Sequence, residues 1–196
     1  MQTAVKKTVG IHQLVDGLKA ISDADFSCKN VYSFLGENPV DIDSITKYYH
    51  WSSENYTRNL VYKDKRFEVM VICWEKGVAS RVHDHADQKC WMMVPVGKLK
   101  GQNFAVAEID EAKNYCRLVE TDDFELSDCL AATVELEAPI HQVLNPAAYD
   151  ERAVSIHIYS KPYDSCLSYC RDTDTFKEVQ LFYTSVDGTL CEGITL

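Results

Sequence analysis

His83 and His85 stand one residue apart, with Cys90 five residues further on, in the segment "SRVHDHADQKC". On an extended strand, residues two apart point to one face, so both imidazoles would reach the same side and could share a metal ion. As a thiolate, Cys90 could complete a closed zinc site with three imidazoles. No paired C-x2-C knuckle accompanies it, and a second segment suggests another role. In "AVSIHIYS", Ser155, His157 and Tyr159 alternate with Val154, Ile156 and Ile158. Serine, imidazole and phenol therefore share one face of a strand, either turned to water or turned to a polar pocket. We expect the pocket, with the aliphatic face covered by other elements.

The elements that must position these residues fall into two parts. Ile11, Leu14, Val15, Leu18 and Ile21 recur at spacings of three and four and predict a helix. A second short helix is expected over 28–35, and a third over "DIDSITKYYHW", capped by Asp41 or Asp43. From about residue 56 the chain turns to short β-branched and aromatic runs: "RFEVMVICW", "CWMMVPVGKL", "NFAVAEI", "NYCRLVE", "TVELE" and "RAVSIHIYS". Gly, Asp, Asn or Pro separate them, the pattern of an antiparallel sandwich or barrel. We expect one domain over 1–196, with about 1–50 helical and packed on a barrel of about 51–196.

Bulk properties exclude several function classes. A formal charge of −10 argues against nucleic acid and anionic membrane surfaces, both of which need basic patches. No stretch approaches the length of a membrane span, and "MQTAVKKTVGIHQLVDGL" lacks the apolar run of a signal peptide. Eight cysteines without such a signal are expected as thiols in a reducing cytoplasm. The expectation is a cytoplasmic monomer.

A wider frame joins the histidines. Gly77, His83, His85, Cys90 and Gly97 fit G-x5-H-x-H-x4-(E)-x6-G, the first cupin motif, with cysteine in place of the usual glutamate. "HQVLN" gives His141 and Asn145, matching H-x3-N of the second motif, although the glycine usual before that histidine is replaced by Pro139 and Ile140. The chain resembles the cysteine dioxygenases, the thiol-oxidising branch of the cupins. The segments carrying the resemblance are "YTRNLV" (56–61), "VICWEKG" (71–77), "HDHADQKC" (83–90), "GKLK" (97–100), "HQVLN" (141–145) and "AVSIHIYSKPYDSC" (153–166).

That resemblance implies a mainly β cupin fold, a small jelly-roll barrel with N-terminal helices, and a set of roles. His83, His85 and His141 would hold Fe(2+). Cys90 would be joined to Tyr159 by a thioether, a protein-derived cofactor, with Ser155 and His157 in a hydrogen-bonded relay to that tyrosine. Tyr56 and Arg58 would line the site for the substrate carboxylate. Cys166 matches a cysteine near the pocket mouth without an assigned role. Where the family often has Ser-Pro-Pro with a cis bond, this chain has Ser160-Lys161-Pro162, and we expect a cis Ser160–Lys161 peptide despite its cost of roughly 3 kcal/mol.

The chemistry implied is oxidation of free L-cysteine by O2 to cysteine sulfinic acid, a step on the sulfur oxidation ladder. Three neutral imidazoles leave the ferrous charge uncancelled, which favours an anionic thiolate. Arg58 can grip a carboxylate through paired charge-assisted bonds. Competing readings are a thiol dioxygenase acting on 3-mercaptopropionate or cysteamine, and a non-enzymatic zinc-binding cupin. The other cysteines (Cys28, Cys73, Cys116, Cys129, Cys170 and Cys191) are read as ordinary thiols.

Overall fold

The computed structural model describes residues 7–127, 132–134 and 140–193. Pro139, Cys129 and the end of "TVELE" lie outside the described residues. The helix α1 spans Ile11–Ala20, and the buried Ile11, Leu14, Val15 and Leu18 form its inner stripe, while Ile21 caps the C-terminus. The Ser44 hydroxyl accepts from the Ile11 amide at 2.9 Å, tying the helix start to the next element. The second helix, α2, runs Cys28–Glu37, with the Ser27 side chain accepting from the Asn30 amide. The third element is a 3-10 helix over Ile42–Tyr48, capped by Asp41.

Thirteen strands follow in the described chain: β1 (Thr57–Lys63), β2 (Phe67–Trp74), β3 (Val82–His83), β4 (Cys90–Val96), β5 (Leu99–Asp110), β6 (Tyr115–Leu126), β7 (Ala132–Val134), β8 (His141–Leu144), β9 (Ala153–Ser160), β10 (Ser165–Cys170), β11 (Thr175–Gln180), β12 (Ser185–Val186) and β13 (Thr189–Leu190). They form two groups: a seven-stranded sheet ordered β13-β12-β1-β2-β9-β4-β7, and a closed six-stranded ring ordered β10-β11-β6-β5-β8-β3. This is the expected cupin arrangement, with helices on the outer face of the larger sheet.

All of β2 is buried, because the sheet is covered on both sides. Phe67, Val69, Val71 and Cys73 pack with α1 and α2, together with Val154, Ile156 and Ile158 of β9. The alternate residues Met70, Ile72 and Trp74 face the interior with Cys90 and Tyr159. A one-residue slip of either strand would exchange these faces, so register is strongly fixed. Gly97 allows the turn from β4 to β5: its φ is 69°, and a Cβ there would collide with the Arg152 carbonyl oxygen.

The expected cis peptide is not present: none of the described peptide bonds is cis. Instead Lys161 turns the chain with a left-handed φ of 69°. The end of β9 is held by Ser160 N donating to Lys89 O at 2.9 Å and Lys161 N donating to Arg66 O at 2.7 Å. Pairing with the neighbouring strands, rather than a peptide isomer, fixes where Tyr159 points.

Candidate active site

Short strands of the ring bring the histidines together. His83 on β3 is the direct antiparallel partner of His141 on β8, a pairing that places side chains about 5 Å apart at Cβ. His85 lies just past β3, where positive φ angles at Ala86 and Asp87 turn the chain. Its ring still stands 5.3 Å from that of His83 and 4.7 Å from that of His141 between centroids. One donor atom from each of the three residues lies within 4.8 Å of the others.

The residues fit a metal. His83 Nδ1 donates to the Arg81 carbonyl at 2.8 Å, which leaves Nε2 with its lone pair free. His85 Nδ1 is buried with no hydrogen-bond partner. Burial holds the His85 and His141 imidazoles well below the usual histidine range, and repulsion from neighbouring rings adds to it. The outcome is a cluster of neutral nitrogen donors, the form that metals bind. Cys90 does not join the group. Its sulfur lies 3.9 Å from His157 Nδ1, on the opposite sheet, which counts against the four-ligand zinc reading.

That sheet supplies the other expected residues. Cys90 on β4 is the direct partner of Tyr159 on β9, and burial pushes the Cys90 thiol up. Ser155, His157 and Tyr159 are all buried and turned inward, so the polar face is not in water. Ser155 Oγ lies 2.9 Å from His157 Nε2, and His157 Nδ1 lies 3.1 Å from the Tyr159 hydroxyl. Burial, then the nearby Arg58 charge, pushes His157 down to about 3. Trp74, not singled out from sequence, starts this chain by donating to Ser155 Oγ at 2.8 Å. Alternation along "VICW" was the available signal, since Trp74 shares the inner face of Ile72. Tyr163 was also missed, and it packs edge-on to Tyr159 at 5.2 Å.

Arg58, on β1, is buried with its Nε unpartnered. Tyr56 stacks on Trp74 at 4.9 Å. Tyr56, Arg58, His83, His141, His157 and Tyr159 all line an inner cavity of about 20 Å³. Tyr56, Arg58 and His83 also line an outer cavity of about 430 Å³, together with Cys166 and Tyr163. Asn145, from the second motif, is structural. Its side-chain amide donates to the carbonyls of Trp74 (3.2 Å) and Glu151 (2.8 Å), fastening the end of β8 to the end of β2.

Comparison with known proteins agrees with this geometry. The family model "Cysteine dioxygenase type I" matches residues 1–172. Cysteine dioxygenase type 1 of Danio rerio is 28% identical over 95% of this chain and 92% of its own length. The Bos taurus enzyme of the same name is 30% identical over 72% of this chain and 68% of its own. Among solved structures, the cupin domain of Schizosaccharomyces pombe Cnp3 is similar over 55% of this chain and 61% of that chain, at 11% identity and a TM-score of 0.41. With a three-histidine cluster of the right donor chemistry and relatives spanning nearly its whole length, the chain belongs to the cysteine dioxygenase type I family and is a cysteine-oxidising dioxygenase.

Proposed function

We propose that His83, His85 and His141 hold ferrous iron and that free L-cysteine binds beside them, its carboxylate on Arg58 and Tyr56. The observation that carries this reading is the clustering of three neutral imidazoles, two of which, His83 and His141, line a cavity also walled by a buried, partly unpartnered arginine. When bound, the iron supplies the redox chemistry and a positive charge that favours thiolate over thiol. The overall conversion balances without another reductant: a thiol and O2 become a sulfinic acid, with both oxygen atoms on sulfur.

The chain's own residues bind and orient. Arg58 meets the carboxylate with a planar fork of donors. The hydrogen bonds behind Tyr159 have a preferred direction. Trp74 Nε1 can only donate, so Ser155 accepts from it and can direct its own hydroxyl proton to His157 Nε2. His157 is then protonated on Nδ1 and donates to the Tyr159 oxygen. The Tyr159 hydroxyl is thereby left to donate a hydrogen bond into the cavity, where the substrate's developing charge would accept it. Burial raises the Tyr159 phenol well above its ordinary value, so it keeps its proton.

A thioether between Cys90 and Tyr159 completes the proposal. It would form from the thiol S–H and a ring C–H, with two electrons and two protons passing to dioxygen. The tether would remove rotamer freedom and fix the hydroxyl. Direct cross-strand pairing supports this reading.

We further propose a single domain over 1–196, a monomer and a cytoplasmic location. Helices and sheet share one apolar core, and the described cysteines are free thiols. No described helix is long and apolar enough to cross a membrane. The deciding experiment is anaerobic iron loading followed by cysteine-dependent oxygen uptake, with the product identified. Sulfinate is expected; a zinc-filled, oxygen-inert protein would overturn the reading.

A further inference from the structure

Glu68 is fully buried and belongs to the face of β2 that otherwise carries Met70, Ile72 and Trp74. Its strand partners are Tyr159 on β9 and Lys63 on β1. An aliphatic residue would fill that position without the cost of burying a charge. The carboxylate has a built holder instead. Lys63 Nζ donates to the Tyr183 oxygen at 3.0 Å, so the Tyr183 proton is directed to Glu68 Oε2, 2.6 Å away. Glu68 Oε1 has no hydrogen-bond partner, and neither has Arg58 Nε. The same Tyr183 side chain also approaches Arg58, whose Cζ lies 6.0 Å from its ring centroid.

Tyr183 belongs to a segment, 181–190, beyond residue 172 where the family model stops. Next to it, Thr184 grips the Arg58 backbone from both directions. The Arg58 amide donates to Thr184 Oγ1 at 3.1 Å, and the Thr184 amide donates to the Arg58 carbonyl at 2.7 Å. The C-terminal segment thus touches the main chain of Arg58, its side chain and the nearby carboxylate.

We infer that Glu68 and Tyr183 are positioning residues for Arg58: together they hold its guanidinium at the carboxylate end of the cysteine site. Burial raises the Glu68 carboxyl above its ordinary range, and the Tyr183 hydroxyl bond, then Arg58 and Lys63, offset only part of that rise. A buried carboxylate acting through its charge biases the orientation of a guanidinium whose Nε has no hydrogen-bond partner, and preorganised donors bind at lower entropic cost. The inference rests on the assignment of Arg58 to the substrate carboxylate.

The test compares Glu68→Gln, Tyr183→Phe and Arg58→Ala in the iron-loaded full chain. Cysteine Kd is measured by anaerobic titration, cysteamine Ki by competition, and kcat by oxygen uptake. Cysteamine lacks the carboxylate, so a general disturbance of the pocket would weaken both ligands while a positioning effect weakens cysteine alone. Glu68→Gln, which removes the anion, should weaken cysteine about tenfold, and Tyr183→Phe, which removes the hydroxyl bonded to that carboxylate, about threefold. The cysteamine Ki and kcat should change by less than about twofold. Unchanged cysteine binding, or parallel weakening of cysteamine, would overturn the inference. If Glu68→Gln does not fold, Tyr183→Phe carries the test alone. Should Arg58→Ala itself leave cysteine binding intact, the carboxylate assignment fails; should only the other two variants do so, that assignment stands and the positioning role falls.

Discussion

The six-stranded ring and the seven-stranded sheet present different chemistry to the cavity they enclose. The ring contributes nitrogen donors, from β3, from the turn just after it and from the four-residue β8. The sheet contributes Arg58, Cys90 and the Ser155–His157–Tyr159 line, from strands buried on both faces. Short strands ending in turns can adjust by tenths of an ångström as an ion draws its ligands together. A sheet packed on both sides cannot, because interiors are close-packed and resist displacement. On the proposed assignment, the metal donors sit where the backbone can adapt, and the groups that would aim substrate and protons sit where it is fixed.

The largest effect should come from breaking the ring side alone. His141→Ala removes one of three donors while leaving the sheet untouched, so iron content and activity should fall together by at least about 100-fold, since even outer-shell partners of metal ligands are worth up to that much. Metal analysis beside oxygen uptake checks this; an iron-replete, active variant would separate the histidine cluster from the chemistry. Breaking the sheet side gives the complementary result. Arg58→Ala should retain iron yet lower kcat/KM for cysteine about 10- to 100-fold, the range for losing charge-assisted bonds to a carboxylate. Iron loss in that variant would mean that the two sides are not separable.

Legibility in the sequence followed the same division. The polar and aliphatic alternation of β9 and the stripe Ile11, Leu14, Val15, Leu18 are local periodicities, and both were readable because each face has a single environment. The histidine cluster was readable through motif spacing, although His85 lies beyond the two-residue strand that would have given it a common face with His83. A barrel was expected, but its strand order was not readable, since it depends on pairings such as β3 with β10 and β5 with β8 between distant segments. Nor were β10 to β13: β11 has no buried residue to mark an inner face, and most of this region lies beyond the resembling segments. Glu68 reads from sequence as one polar residue in an apolar strand. Its meaning comes only from Tyr183, which is 115 residues away.

A smaller change sharpens the sheet side. Cys90→Ser keeps the metal donors and removes the sulfur of the proposed tether. Intact mass should show a population lacking two hydrogens in the parent protein and none in the variant. Activity should fall by roughly fivefold, the value of about 1 kcal/mol of regained side-chain freedom at Tyr159. Finding Cys90 only as a free thiol after many turnovers would remove the cross-link from the account.

The smallest expected effect lies deepest in the sheet. Ser155→Ala deletes the hydroxyl between Trp74 and His157, leaving the Trp74 N–H and His157 Nε2 without that partner. Iron binding and cysteine affinity should not change, because Ser155 lies behind the Tyr159 hydroxyl and contacts neither set of ligands. The tautomer of His157 is no longer imposed, so a fraction of molecules would carry the proton on Nε2 and leave Nδ1 to accept from Tyr159, turning the phenolic proton away from the cavity. A loss of about three- to tenfold in kcat with KM unchanged is the expected signature of one neutral hydrogen bond used to orient a donor. Loss in KM alone would place Ser155 with the substrate contacts instead, and an unchanged kcat would mean that packing between β2 and β4 holds His157 in its working tautomer without the serine.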